Sequence, residues 1–114
     1  MKKTREKEAQ TTAQQPYQLL HAIRPTFCEV ESREKLNWDD FELVAEIWAT
    51  DLEDLYSKTN HKDAPWHEAA VNDIQYLKPR EDGRPPRSTS IGDLAIDPEG
   101  KIWCCATLGW KQLD

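Results

Sequence analysis

The sequence predicts an α+β fold: a small antiparallel sheet of three to four strands, one short helix and a C-terminal β-hairpin. Three observations carry this expectation. Apolar residues alternate with polar ones around Leu19 and again after Phe41, Thr50-Asp51-Leu52-Glu53 reads as a helix-start box, and Asp97-Pro98-Glu99-Gly100 is a turn signature between two alternating runs. The chain has 114 residues and a formal net charge of −6, which suits one small domain. It is polar, with 38% hydrophobic and 32% charged residues, yet five Trp, three Tyr and two Phe argue against wholesale disorder.

Taken in order, residues 1–15 mix Lys2, Lys3, Arg5 and Lys7 with Glu6 and Glu8, then run into Thr, Gln and Ala without an apolar stripe. A mobile basic tail is expected there, with a single α+β domain over 16–114. Tyr17, Leu19 and Ile23 alternate toward Pro25 and suggest a strand, although Leu19, Leu20 and Ile23 also fit a helical turn. Over Phe41 to Trp48 a strand would set Glu42 and Glu46 on one face with Val44 and Trp48. A single long helix would instead line up Phe41, Val44, Ala45, Trp48, Leu52, Leu55 and Tyr56. The box at Thr50 starts a helix where the long one would pass through, which favours a strand over 41–48 and a short helix over 51–59.

Residues 60–66 read as a loop and Val71 to Leu77 as extended. Lys78-Pro-Arg-Glu-Asp-Gly-Arg-Pro-Pro-Arg87 has three prolines and a glycine, which exclude regular structure, and it carries four cations against Glu81 and Asp82. In the C-terminal hairpin, Leu94 and Ile96 share one face. On the return strand Ile102, Cys104, Ala106 and Leu108 alternate with Trp103, Cys105 and Thr107.

Charge is unevenly spread. Residues 29–54 hold ten carboxylates against only Arg33 and Lys35, a local balance of −8. A solvated face is the ordinary explanation for such a run. The sharper one is an acidic contact surface built from Glu42, Glu46, Asp51, Glu53 and Asp54, which would attract a basic partner over long range.

The run Asp51-Leu-Glu-Asp-Leu-Tyr-Ser-Lys-Thr-Asn60, the pair Pro65-Trp66, the segment Arg87-Ser-Thr-Ser-Ile-Gly-Asp93 and the closing Leu108-Gly109-Trp110 together resemble the YodL-like small proteins and modules of phages and conjugative elements. That family shows a short acidic helix ending in Asn, a Ser-x-Ser-x-Gly/Ser-Asp segment entering a strand, and a Gly-aromatic pair closing the next. The resemblance covers roughly residues 41–113. It implies a mobile-element origin and carries no catalytic assignment with it.

Enzyme-like patterns find simpler explanations. Asp97 with Glu99-x-Lys101 imitates nuclease metal ligands but sits in a turn that Pro98 and Gly100 already explain. His61, Asp63 and His67, with Cys28, Cys104 or Cys105, match no common zinc spacing, and adjacent strand cysteines point to opposite faces. Arg87, Ser88 and Ser90 could cradle a phosphate. Small residues that turn the backbone into a strand, with Asp93 capping local amides, explain that segment better. Trp66, Trp103 and Trp110 read as packing rather than as a base-stacking platform, which would need a cationic groove.

No catalytic site, cofactor or metal is therefore expected. Three cysteines form no paired framework and fit a reducing cytoplasm, and Met1-Lys2-Lys3 leads into no apolar segment of the kind that begins a signal peptide. The expected function is non-catalytic binding of a host protein by a phage or mobile-element accessory factor, with an anti-CRISPR or anti-restriction inhibitor as its most specific form. The alternative is a nucleic-acid-binding factor that uses the tail and the loop cations Arg80, Arg84 and Arg87.

Overall fold

Strand alternation becomes a hydrogen-bonded ladder from Gln15, the last residue of the expected tail. Strands β1 (Gln15–Ala22), β2 (Phe41–Ala49), β3 (Ile74–Tyr76), β4 (Leu94–Ile96), β5 (Ile102–Cys105) and β6 (Trp110–Gln112) form one sheet in the order β3-β2-β1-β4-β5-β6. Every neighbouring pair is antiparallel. The computed structural model describes residues 13–60, 66–69, 73–78 and 86–113, so most of the expected tail lies outside the described residues. The fold is α+β as the sequence implies, and the sheet has six strands where three to four were expected.

Two short strands account for the difference. β3 occupies the stretch read only as extended and pairs with β2 through Ala45, Glu46 and Ile47. The return strand of the hairpin, expected to run through Leu108, stops at Cys105. Gly109 takes φ +80°, a left-handed conformation that suits glycine, and Ala106 N donates to Gly109 O at 2.8 Å. The chain thereby reverses, and Trp110 pairs with Cys105 as the start of β6. The first hairpin turn forms as its sequence dictates: Gly100 N donates to Asp97 O at 2.9 Å.

The strand-plus-helix reading of residues 41–59 holds. Helix α1 (Leu52–Lys58) begins one residue later than the expected box, with Asp51 as its N-cap. Asp51 Oδ1 accepts from Asp54 N at 2.8 Å, and Asp54 Oδ2 accepts from Thr50 N at 3.0 Å. The box is therefore Asp51 with Asp54: Asp51 accepts from an amide of the first turn, and Asp54 reaches back to the amide of Thr50 just before the cap. A single helical turn, α2 (Trp66–Ala69), begins at the end of the segment read as a loop.

Register decides what each face buries. In the β1–β2 ladder Leu19 lies opposite Ala45 and Leu20 opposite Leu43, so Val44 is the extra residue of a β-bulge. Beyond it, Ala45, Ile47 and Ala49 join Tyr17, Leu19, Ile74 and Ala95 under Leu55 of α1 and Trp66 of α2. On the opposite face Leu20, Leu94, Ile102, Cys104 and Leu113 pack beneath Val30 and Leu36, with Phe41 at the edge. Burial on both sides explains why Leu94-Ala95 and Cys104-Cys105 are consecutive buried residues. No helix among the described residues is long and apolar enough to cross a membrane.

Candidate functional site

The segment Arg87–Asp93 is where the sequence concentrates polar chemistry, and the fold turns that chemistry inward. Gly92, at φ +96°, packs so closely on the 26–29 strand of chain that a Cβ there would lie 2.5 Å from Cys28 O. The following Asp93 is 1% exposed. Arg87 Nη1 donates to Asp93 Oδ2 at 2.7 Å and Nη2 to Oδ1 at 2.8 Å, a bidentate pair. Ala22 N and Ser90 N also donate to this carboxylate, at 2.9 and 2.8 Å. Arg87 spends its remaining Nη donors on Ser88 O at 3.1 Å and Ala22 O at 3.0 Å. A guanidinium so engaged has little left for a phosphate. The segment is the backbone anchor that its small residues implied.

Behind the pair lies a group the sequence did not single out. His21 Nε2 sits 3.1 Å from Thr89 Oγ1 and 3.9 Å from Asp93 Oδ2. Burial drives the His21 pKa down from 6.5 to about 4; Asp93 opposes the shift and Arg87 adds to it. A hydroxyl beside an imidazole resembles an activated nucleophile, but two features oppose that chemistry. Thr89 is 1% exposed, which leaves no approach for a substrate. Hydroxyl and carboxylate also face the same ring nitrogen, whereas a relay needs one on each. Trp66 covers the group edge-on at 6.1 Å from the His21 ring and ties its indole N–H to Arg87 O at 2.8 Å. Nothing in a single-sequence reading links His21 to a motif about 70 residues away.

The five acidic residues expected to form a surface are dispersed. Glu42 lies opposite His21 on the helix-covered side, 3.9 Å from Lys78 Nζ. Glu46 lies opposite Gln18 and Gln75 on the other side, because the bulge at Val44 intervenes. The expectation that Glu42 and Glu46 share a face with Val44 is corrected by that bulge. Asp51 and Asp54 cap α1, and Asp54 also pairs with Lys58 at 3.2 Å. Glu53 is exposed on the first turn of α1. Neither Glu46 nor Glu53 has an ion-pair partner among the described residues. The nine residues of β2 span about 30 Å, with Glu42 near one end, Glu46 past the middle on the opposite face, and Asp51, Glu53 and Asp54 beyond the other end, so the acidic block is spread along and across the sheet.

The other candidates resolve individually. Asp97 Oδ1 accepts from Glu99 N and Lys101 N, each at 2.9 Å, and Oδ2 accepts from Trp103 Nε1 at 3.0 Å, so this carboxylate holds its turn. Cys104 and Cys105 are buried on opposite faces, and burial lifts the Cys105 thiol to about 11. Among the described residues no three His, Cys, Asp or Glu side chains converge as metal ligands. His61, Asp63, Arg80 and Arg84 lie outside the described residues. Trp66 is buried, and Trp110 packs at the rim of the helix-covered core. Compared with protein-family models, curated proteins and solved structures, the chain matches none of them.

Proposed function

We propose that this chain is a non-catalytic accessory protein of a phage or mobile element that acts in the host cytoplasm by binding a host protein through its outward-facing carboxylates. Its most specific form is a counter-defence inhibitor, anti-CRISPR or anti-restriction, that offers carboxylates to a protein whose natural ligand is nucleic acid. One observation supports the reading above the rest. Arg87, the one of the three expected contact arginines that lies among the described residues, is committed to Asp93, whereas Glu46 and Glu53 face outward without ion-pair partners among the described residues. The net charge of −6 also opposes the counterion release that drives nucleic-acid binding.

The test is phage plating on a host that carries a restriction or CRISPR system, with and without the protein. Wild type should raise plating by orders of magnitude, and the Glu46→Lys/Glu53→Lys variant should abolish the gain while the circular dichroism spectrum is unchanged. Arg80→Glu/Arg84→Glu should plate like wild type. Loss on the arginine reversals with silent glutamate reversals would replace this reading with the nucleic-acid-binding one.

A further inference from the structure

We infer that the bare half of the sheet, centred on Glu46 and Trp48, is a docking surface for a protein partner that presents an arginine among apolar side chains. The inference rests on the acidic-surface reading above and says where on the molecule contact is made.

The bulge at Val44 builds this surface. Regular alternation would set Leu43 on one side of β2 and Glu46 and Trp48 on the other. The slip in register places Leu43, opposite Leu20, on the same side as Glu46 and Trp48, opposite Gln18 and Pro16. Leu77 follows Tyr76, which faces the helices, and so falls on this side as well. Trp48, Leu43 and Leu77 are 42%, 40% and 42% exposed. Among the described residues the helices cover the opposite face, and the chain around Val30 and Leu36 covers this one over β4, β5 and the Leu20 and Phe41 ends of β1 and β2, short of Glu46 and Trp48. Three large apolar side chains thus surround one carboxylate, with the amides of Gln18 and Gln75 beside it.

Charge selects the occupant. Glu46 is the only ionisable side chain that the ladders of β1, β2 and β3 place on this side, and it has no ion-pair partner among the described residues. A purely apolar partner would strip water from the carboxylate and return nothing. A second copy stacked about the same point would set carboxylate against carboxylate. A cation satisfies Glu46, and arginine satisfies the whole patch. Its planar fork donates two hydrogen bonds to a carboxylate, and its face stacks on an indole two residues along the strand. Trp and Arg are also the side chains on which protein interfaces concentrate their affinity.

The probe is a synthetic amphipathic helical peptide with one arginine in the middle of a Leu/Ala stripe, titrated into the ¹⁵N-labelled full chain. Saturable shifts confined to the amides of residues 43–48 and 75–77 are expected. Replacing the peptide arginine by glutamate, or making Glu46→Gln or Trp48→Ala in the protein, should weaken binding at least tenfold. Equal binding of the glutamate peptide, shifts elsewhere, or none at millimolar peptide would overturn the proposal. So would a dimer in sedimentation experiments that protects the same amides, since the surface would then serve a second copy. The two readings fail separately: a negative plating assay with the mapping intact strikes only the counter-defence role, and a positive one without mapped shifts strikes only this surface.

Discussion

Arg87 and Asp93, six positions apart, meet through two parallel hydrogen bonds of 2.7 and 2.8 Å, and the same carboxylate holds the backbone of Ala22 at the end of β1. One ion pair thus joins the proline-rich loop, the entry to β4 and the central strand. Its carboxylate is buried and its guanidinium is partly exposed.

Removing one partner should cost far more than the pair itself contributes: without Arg87 the buried Asp93 carboxylate loses its counter-charge, and without Asp93 the amides of Ala22 and Ser90 lose their acceptor along with the guanidinium. Arg87→Ala and Asp93→Ala should each destabilise by about 3–5 kcal/mol. For a domain near this size, each kcal/mol lowers the melting temperature by about 4–8 °C. Thermal unfolding followed by circular dichroism checks this, and a drop of only a few degrees would show that the pair is dispensable.

His21 makes stability fall on the acid side. Its folded pKa of about 4 lies below the unfolded value of 6.5, so the unfolded chain takes up the proton first as pH falls. The contribution is complete above 6.5 and is lost as pH drops from there toward 4. A shift of this size corresponds to on the order of 3 kcal/mol. Urea midpoints at pH 7, 5.5 and 4.5 should fall more steeply for wild type than for His21→Gln, and parallel slopes would remove His21 as the cause.

The carboxylates at the start of α1 should separate by role. Asp51→Ala and Asp54→Ala each remove a cap and should cost about 1 kcal/mol. Glu53→Ala, with no ion-pair partner among the described residues, should fall within about 0.5 kcal/mol of wild type. Denaturant titration ranks the three, and a cost at Glu53 equal to that at Asp51 would contradict the capping geometry.

Thiol labelling should count one cysteine in the native protein. Cys28 is exposed, whereas Cys104 and Cys105 are buried and burial raises both thiol pKa values. Iodoacetamide at neutral pH followed by mass spectrometry should add one group before unfolding and three after. Rapid addition of two groups to the native chain would mean that the β5 face opens readily.

What the sequence made legible was local. The turn at Asp97 and Gly100 and the cap at Asp51 each depend on residues within four positions, and both were read to within one residue. The bulge at Val44 was hidden because it comes from the pairing of β2 with Leu19 and Leu20 across the sheet, not from anything in β2 itself. The direction of Arg87 was hidden for the same reason. Its motif was visible, but the backbone it grips at Ala22 is 65 positions away. The acidic block looked continuous along the chain and was spread along β2 and over both of its faces once the strand was extended.

The strand order has a consequence for how quickly the chain can reach this state. β1, β2 and β3 are neighbours in sequence and in the sheet, as are β4, β5 and β6, so each trio is a meander that closes through its own connections. The seam between the trios is the short β1–β4 ladder and the bond from Ala22 to Asp93, 71 positions away. Closing so long a loop brings no contact energy until both edges are formed, and a sheet joined this way belongs among domains that fold in milliseconds to seconds. Until the seam closes, β1 and β4 each present an open edge. In the folded state the segment Arg87–Asp93 latches that seam, with Asp93 accepting from Ala22 N and Arg87 donating to Ala22 O.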